Sequence, residues 1–318
     1  MPSSVGYSNV EQWKTGLRRV APEAYVYVQS VGGWFTGNAS FIVGRDSVAV
    51  IDSLATVQMC KAFLREIRKV TKKPIRYLIN THQHSDHLLT NHLFKGAVTI
   101  CQTNCRLTTV DDAEDVPNVF VDLVPEINFK KTKLTPQDIA FSDRCELFLD
   151  GLELKMAYVG PAHTISDIYV YLPERKVVFC GDLLFAPPCT PFALQGTITG
   201  YVKAIDTLLS LNAKTYVPGH GPLRPGKRDL ELERDYLLFL RDEARKRFDR
   251  GMDPIEAGKE IAYNLGRFSG WGEKERTIGN VYRAYSEFRN EPLGKELPGR
   301  MKVFAKMMEF RHTIEPRR

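Results

Sequence analysis

Short apolar runs, bounded by glycine, proline and charged residues, recur along the chain up to about residue 217 and predict β-strands. Between residues 55 and 69 the spacing changes, and Cys60, Phe63 and Ile67 recur on one face of a helix. A second helix is expected at residues 201–210. Strands are expected at residues 25–29, 40–43, 47–51, 75–79, 98–101, 147–149, 152–159, 168–172, 176–180 and 214–217.

Beyond residue 225 the pattern becomes helical and rich in charge. Helices are expected there at residues 230–250, 254–265, 273–289 and 302–310. Strands interleaved with helices, followed by a helical tail, predict a layered α/β architecture. We therefore expect a domain over residues 1–225 and a helical C-terminal extension over residues 226–318 packed on it.

Residues 106–140 show no clear period and contain Pro117, Pro125 and Pro136. Proline interrupts both helices and central strands. This segment is expected to be an irregular insertion that walls a site.

Composition narrows the class of protein. The chain has 318 residues, of which 43% are hydrophobic and 26% charged, and its net charge of +6 is spread along the sequence. We therefore expect no nucleic-acid partner. No apolar run approaches the length of a membrane span, so no membrane partner is expected either. With no secretory signal in view, we expect a cytoplasmic protein whose six cysteines are reduced.

The segment Thr81-His82-Gln83-His84-Ser85-Asp86-His87 follows the strand predicted at residues 75–79. In an extended loop, residues two apart point the same way, so His82 and His84 can bind one metal ion together. Asp86 and His87 can turn toward a second. Three histidines within six residues are hard to explain by packing, because each buried imidazole needs hydrogen-bond partners. Imidazole and carboxylate ligands suit zinc, with iron or manganese left open.

Three later segments share one layout, in which a predicted strand ends, glycine or proline turns the chain, and a metal-binding residue follows. These residues are His163, Asp182 and His220. Ligand sites in α/β proteins gather where loops leave the ends of strands. The chain has seven histidines, and the two left over, His92 and His312, are expected to be structural.

The series His82-x-His84-x-Asp86-His87, then His163, Asp182 and His220, resembles the metallo-β-lactamase superfamily over about residues 17–225. The resemblance implies an αββα sandwich with the metals at one edge of the sheets. It implies that the first metal is held by His82, His84 and His163, and the second by Asp86, His87 and His220. Asp182 would bridge both metals, and Asp52, matching an early aspartate of the family, would hold a ligand histidine in place. The helical tail resembles that of a group of uncharacterised hydrolases in the superfamily.

These features together predict a hydrolase with two zinc ions, in which a water shared by two cations becomes a nucleophile at neutral pH. The expected substrate is a small molecule with an activated carbonyl, such as a lactone, lactam, ester or thioester, and Asp86 or Asp182 would transfer the proton. Detoxification of a foreign ring compound would suit this chemistry. The alternatives are iron-dependent oxygen or sulfur chemistry, a phosphodiesterase, a hydrolytic dehalogenase, or a binding protein with a vestigial site.

A glycine-flanked segment between the first two predicted strands suggests a substrate pocket. It contains Trp34, Phe35 and Asn38, and glycines on both sides give it hinges. The aromatic pair would offer an apolar face to a ring. The alternative is that both aromatics pack in the core. The helical tail offers a surface on which a homodimer could form.

Overall fold

The structure is a computed structural model, and it describes residues 13–30, 33–111, 124–294 and 297–314. The strands are β1 (Gly16–Arg19), β2 (Ala24–Val28), β3 (Ala39–Val43), β4 (Val48–Ile51), β5 (Ile75–Ile79), β6 (Val98–Gln102), β7 (Ile139–Phe141), β8 (Arg144–Leu149), β9 (Leu152–Tyr158), β10 (Ile168–Leu172), β11 (Val177–Phe179) and β12 (Thr215–Val217). The helices are α1 (Val57–Val70), α2 (Ser85–Leu88), α3 (Thr103–Asp111), α4 (Ile198–Ser210), α5 (Arg228–Phe248), α6 (Pro254–Tyr263), α7 (Arg276–Phe288) and α8 (Arg300–Ile314). Short 3₁₀ turns occupy Asn91–Leu93, Pro173–Arg175, Gly181–Leu183 and Gly266–Phe268.

The strands form two mixed sheets. Seven strands lie in the order β1 to β7, antiparallel up to β4 and parallel from β4 to β7. The second sheet has the order β12-β11-β10-β9-β8 and is antiparallel except between β11 and β12. Where strands run in parallel, the loops after them leave at the same edge of the sheet.

The core between the sheets comes from alternating apolar side chains. In β10, Ile168, Val170 and Leu172 are buried, whereas the residues between them are half-buried. They pack with apolar residues of the first sheet such as Val26 and Ile79. An alternating strand buries one face, so two such sheets close on each other and shed water from both.

Helices cover the two outer faces. Helix α1 places Phe63 and Ile67 against the first sheet, and the Thr56 hydroxyl caps the helix by accepting a hydrogen bond from the Met59 backbone N–H at 3.2 Å. The second sheet is covered by α4 together with helices of the C-terminal extension, and one apolar core runs through all of them. This confirms the αββα sandwich with a helical extension. The boundary at residue 225 stays a prediction.

The prediction for residues 106–140 was wrong at both ends. Helix α3 runs to Asp111, and Ile139–Phe141 forms β7 at the edge of the first sheet, while residues 112–123 lie outside the described residues. Helix α3 buries only Cys105 and Thr109, so its sequence carries no apolar stripe. The edge strand Gly16–Arg19 was also missed, because it is short and carries two arginines.

Candidate metal centre

The register of the sheets delivers the predicted ligands to one edge. Parallel pairing of Ile51 with Ile79 brings the loops after β4 and β5 together. In the other sheet, parallel pairing of Phe179 with Val217 does the same for the loops after β11 and β12. His163 lies in the loop between β9 and β10. Residues far apart in sequence therefore meet at this edge.

Four ligand atoms form a first set, within 4.8 Å of one another, from His82, His84, His163 and Asp182. His163 Nε2 lies 2.8 Å from His84 Nδ1 and 3.3 Å from Asp182 Oδ2. His82 Nε2 lies 3.7 Å from the same carboxylate oxygen. The three imidazoles and the carboxylate therefore converge on one point.

Asp86, His87 and His220 form a second set of three ligand atoms, also within 4.8 Å of one another. His220 Nε2 lies 3.1 Å from Asp86 Oδ2 and 3.3 Å from Asp182 Oδ2. His87 Nε2 lies 3.1 Å from Asp182 Oδ1. Asp182 thus lies between the two sets, within contact distance of histidines from both.

The other ring nitrogen of most of these histidines is held by a hydrogen-bond partner. Asp52 Oδ2 lies 2.9 Å from His87 Nδ1, and both oxygens of Asp52 also accept hydrogen bonds from Thr81. Asp52 has a positive φ of 63°, an unfavourable conformation for a residue other than glycine, of the kind that is found at functional sites. Such partners orient an imidazole and set which nitrogen carries the proton.

Three hydrogen-bond partners of this kind were not predicted from the sequence. Thr81 Oγ1 lies 3.0 Å from His82 Nδ1, Gln195 Oε1 lies 3.2 Å from His84 Nε2, and the Phe192 carbonyl is hydrogen-bonded to His163 Nδ1. Thr81 directly precedes the histidine motif, so its position in the motif was a usable signal. Phe192 and Gln195 lie in a coil with no periodic pattern, and one of them acts through its backbone.

The histidines of the two sets differ in the direction of their pKa shifts. Burial lowers the pKa of His163 to about 3 and lowers that of His82 well below its ordinary value, so these rings are neutral. Burial also acts to lower the pKa of His87, but Asp182, Asp86 and Asp52 outweigh it and raise the pKa well above its ordinary value. Burial acts to raise the pKa of Asp182, but His220, His87 and His82 hold it well below the usual range.

The residues present fit a pair of metal ions. His82 Nε2, His87 Nε2 and Asp182 Oδ1 are buried at the centre without a hydrogen-bond partner among the described residues. Buried polar atoms are normally satisfied, and bound cations would satisfy these three. Every ion pair that Asp182 makes with a described residue is to a histidine, so no lysine or arginine takes that place there.

Close packing at Gly219 holds the ligands together. A Cβ atom at this position would lie 2.0 Å from Asp182 Oδ1 and 2.6 Å from the Gly181 backbone. The Gly219 N–H donates to the Gly181 carbonyl at 2.8 Å. Only glycine lets the loop that carries His220 come this near to Asp182.

The predicted pocket residues lie beside the centre but are packed. Trp34 is half-buried, its ring stands edge-on to Phe192 and Phe304, and its Nε1–H donates to Glu275 Oε1 at 2.8 Å. Phe35 is buried. Asn38 is buried too, and its amide donates to the Pro218 and Gly221 carbonyls at 3.0 Å, which braces the His220 loop. A contact of these residues with substrate stays a prediction.

The helical extension places a second group of buried charges against the same loops. We call Glu273, Glu275 and Arg276 the arginine cluster. Arg276 donates to the Thr190 carbonyl at 2.8 Å and the Gly33 carbonyl at 3.3 Å. Its guanidinium lies between the rings of Trp34 and Phe185, at 4.8 and 5.1 Å from their centroids. Phe185 in turn stacks flat on His220, with ring centroids 4.8 Å apart.

The other residues singled out in the sequence belong to neither ligand set. His92 is in the 3₁₀ turn Asn91–Leu93, and His312 is exposed on α8. The six cysteines are free thiols, and all but Cys145 are buried. No helix among the described residues has both the length and the apolar character needed to cross a membrane.

The order of these ligands and the sandwich that carries them match a known family. The model of the metallo-beta-lactamase superfamily matches residues 32–220, more than half of the chain. The chain belongs to the metallo-β-lactamase superfamily. This confirms the resemblance seen in the histidine motif.

Three known proteins are similar to the chain over different shares of its length. A linear primary-alkylsulfatase from a Pseudomonas species is 20% identical over 299 aligned residues, covering 79% of this chain and 56% of the relative. The structure of the sec-alkylsulfatase Pisa1 from Pseudomonas sp. has a TM-score of 0.66 and 18% identity, over 86% of this chain and 50% of that one. A metallo-beta-lactamase from Pontibacter korlensis has a TM-score of 0.58 and 18% identity, over 71% of this chain and 99% of its own.

The aligned share of each chain shows which part of this protein the known proteins match. The chain spans about half the length of the alkylsulfatases that it matches. Residues 1–225 alone cannot supply 86% of the chain, so the match with Pisa1 reaches into the helical extension. At this level of identity, the likeness establishes the shared fold.

Proposed function

We propose that this protein is a metal-dependent hydrolase that uses two zinc ions to cleave an activated carbonyl bond in a small molecule, namely a lactone, lactam, ester or thioester. The observation that carries the proposal is the position of Asp182 between two ligand sets. Its Oδ1 lies 3.1 Å from His87 Nε2, and its Oδ2 lies 3.3 Å from His163 Nε2. A carboxylate shared in this way suits two neighbouring cations.

The chemistry follows from these ligands. Held by these residues, two cations would supply Lewis-acid chemistry, which lowers the pKa of water and polarises the bond to be cleaved. The chain supplies proton transfer. Asp86 is 7% exposed and Asp182 3%, so Asp86 is the carboxylate that substrate reaches more readily. Burial acts to raise the pKa of Asp86, but His87 and His220 outweigh it and keep the carboxylate ionised. Asp86 is therefore proposed to transfer the proton from its ionised form because of its position at the centre.

Apolar residues around the centre support a substrate with an apolar body. The rings of Phe185 and Phe192 lie 5.4 and 6.3 Å from that of His163, measured between centroids. They belong to an apolar cluster that also contains Phe35 and Leu194. A ring compound with one reactive carbonyl fits such surroundings better than a long charged polymer does, and detoxification in the cytoplasm is the role that we propose for it.

A second candidate is the hydrolysis of an alkyl sulfate. The fold match with Pisa1 extends into the helical extension, whereas a lactamase is matched along almost its whole length by a smaller part of this chain. A shared extension beside the metals favours a shared mode of substrate access. Hydrolysis of an alkyl sulfate breaks either the S–O bond, with an alkoxide leaving, or the C–O bond, with sulfate leaving. Bound cations would stabilise either anion.

The test is a substrate panel with zinc-loaded protein: lactones, lactams, thioesters, alkyl sulfates and phosphodiesters at equal concentration. Turnover of a carbonyl compound, lost in Asp182→Asn, supports the first candidate. Preference for an alkyl sulfate supports the second and overturns the first. Preference for a phosphodiester overturns both. The iron-loaded protein serves as the comparison that tests the choice of metal.

A further inference from the structure

Glu233, on helix α5 of the extension, is buried with no exposed surface. Its Oε1 accepts a hydrogen bond from the Phe185 backbone N–H at 3.1 Å and lies 2.9 Å from the hydroxyl of Tyr201 on α4. Tyr201 is also fully buried, and its hydroxyl is hydrogen-bonded to the backbone carbonyl of Asp182. A glutamate of the extension is thus connected, through one side chain, to the backbone of a metal ligand.

The number of hydrogens available for these contacts determines whether Glu233 is protonated. A tyrosine hydroxyl has one hydrogen to donate, and the Asp182 carbonyl can only accept. The hydroxyl of Tyr201 therefore donates to Asp182, and its contact with Glu233 needs a proton from the glutamate. Burial, the largest influence, raises the pKa of Glu233 well above its ordinary value, in spite of the hydrogen bonds from Phe185 and Tyr201. The carboxyl group is a neutral acid that donates to Tyr201.

Of the two groups held by Glu233, one lies within the turn Gly181–Leu183 and the other just after it. One is the backbone of Asp182, reached through Tyr201. The other is Phe185, whose ring stacks on His220 at an interplanar angle of 6°. A shift of this turn would therefore move a carboxylate and an imidazole of the metal centre together.

We propose that Glu233 is a positioning residue, which as a neutral acid holds Tyr201 and Phe185 so that Asp182 and His220 face the same pair of metal ions. This inference rests on the proposed function only in taking Asp182 and His220 as metal ligands. It gives the helical extension a role in the metal centre itself. Partners that orient metal ligands change metal affinity by about 10–100-fold when they are removed.

The first experiment measures zinc affinity by competition with a coloured chelator, so it needs no substrate. Glu233→Gln should lose less affinity than Glu233→Ala, because its amide N–H can still donate to Tyr201 from the position of Oε1, which also contacts the Phe185 N–H. Glu233→Ala and Tyr201→Phe should each weaken the binding of zinc by about 10-fold or more. Glu231→Ala, on the same helix but half-exposed, is the matched control and should bind as the unchanged protein does.

Two results would overturn the proposal. Wild-type zinc affinity in both Glu233→Ala and Tyr201→Phe would show that the contact serves folding alone. A loss in Glu233→Gln as large as in Glu233→Ala would show that the glutamate is not a neutral acid. If Glu233→Ala fails to fold, Tyr201→Phe and Glu233→Gln still decide between these outcomes. Two tightly bound zinc ions without any hydrolysis would contradict the proposed function and leave this inference standing.

The second experiment tests the proton. The infrared difference spectrum between the zinc-loaded wild type and Glu233→Gln at neutral pH should contain the carbonyl stretch of a protonated carboxylic acid. Its absence, with only carboxylate bands lost, would refute the neutral acid. This readout is independent of any effect on stability.

The pH dependence of the free energy of unfolding also tests whether Glu233 is protonated in the folded protein. The titratable groups that face Glu233 are Tyr201 on α4, Cys180 after β11, Asp182 in the following turn and Asp229 on its own helix. A raised folded-state pKa contributes stability below the ordinary value of 4.5, and this contribution is lost as the pH rises toward the folded-state value. The free energy of unfolding of the wild type should therefore fall relative to Glu233→Gln as the pH rises above 4.5. A constant difference would contradict the assignment.

Discussion

Two groups of buried charges meet in this protein, and they are balanced in different ways. The metal centre brings Asp86 and Asp182 together with histidines, and buried ring nitrogens there lack hydrogen-bond partners among the described residues. The arginine cluster contains Glu273 and Glu275, but its cation is the side chain of Arg276. Buried negative charge must be compensated. In the first group this compensation comes from histidines and from bound metal ions, whereas the second group contains an arginine paired with Glu273.

The difference explains why the two groups lie where they do. Metal ligands must be reached by ions and substrate, so they lie on loops at a sheet edge. Arg276 begins α7 and donates to the backbone of two loops that flank the metal centre, at Gly33 and Thr190. We therefore assign the proposed chemistry to the first group, whereas the second holds the surrounding loops in place.

Removal of the metal ions from the first group should have the largest effect. We expect about two metal ions per chain, lost with EDTA together with all hydrolytic activity and restored by zinc. A ligand at 100 times its dissociation constant stabilises a protein by about 2.7 kcal/mol, so zinc should also raise the unfolding temperature. Mass spectrometry and calorimetry provide the measurements. Full hydrolase activity in metal-free protein would show that the first group does not act through bound metal ions.

Single ligand changes come next. Asp182→Asn and His84→Ala should each lower turnover by about 100-fold or more, because even indirect partners of a metal ligand are worth 10–100-fold. The neutral amide of asparagine compensates two cations poorly. Metal content should fall in both variants, and steady-state kinetics with metal analysis checks this. Unchanged metal content and turnover in either variant would remove that residue from the ligand set.

Loss of the Arg276 guanidinium should lower the stability of the protein without changing metal binding. Arg276→Met leaves Glu273, whose Oε2 lies 3.9 Å from Arg276 Nη1, buried without its arginine, which should cost about 3–5 kcal/mol of unfolding free energy. Urea unfolding measures this, and metal content should remain at two per chain. Loss of metal at wild-type stability would mean that the two groups do not have separate roles.

Trp34 connects the two regions and should give a smaller change. Trp34→Phe keeps an aromatic ring but removes the hydrogen bond to Glu275, at a cost of about 1–3 kcal/mol. If Trp34 also contacts substrate, KM for ring compounds should rise while metal content stays at two. Destabilisation with unchanged KM for every ring compound would limit Trp34 to a packing role.

The smallest effects should come from the histidines outside both groups. His92→Ala and His312→Ala should leave turnover and metal content close to wild type. His92 is in a 3₁₀ turn and belongs to neither ligand set, and His312 is exposed on α8. Damage from His92→Ala equal to that from His84→Ala would show that the ligands were wrongly assigned.

Much of the fold could be predicted because its local signals agree. Period-two apolar runs such as Ile168–Leu172 place most strands to within a few residues. The signals fail where structure depends on a neighbour. Ile139–Phe141 is a strand only because β6 pairs with it, and α3 has too few buried residues to leave a stripe. Helix α4 begins at Ile198, before the predicted start, because the Thr197 side chain caps it.

The sequence by itself determined the kind of site, because a dense histidine motif and ligands after successive strands have no competing explanation in packing. Only the tertiary structure decided which atoms support the ligands. Gln195 approaches His84 from a coil, the Phe192 carbonyl reaches His163, and Glu233 reaches Asp182 through Tyr201. These contacts join residues that are far apart in the chain and use backbone atoms or single side chains. No local pattern encodes them, since they arise only when the sheets and the helical extension pack together.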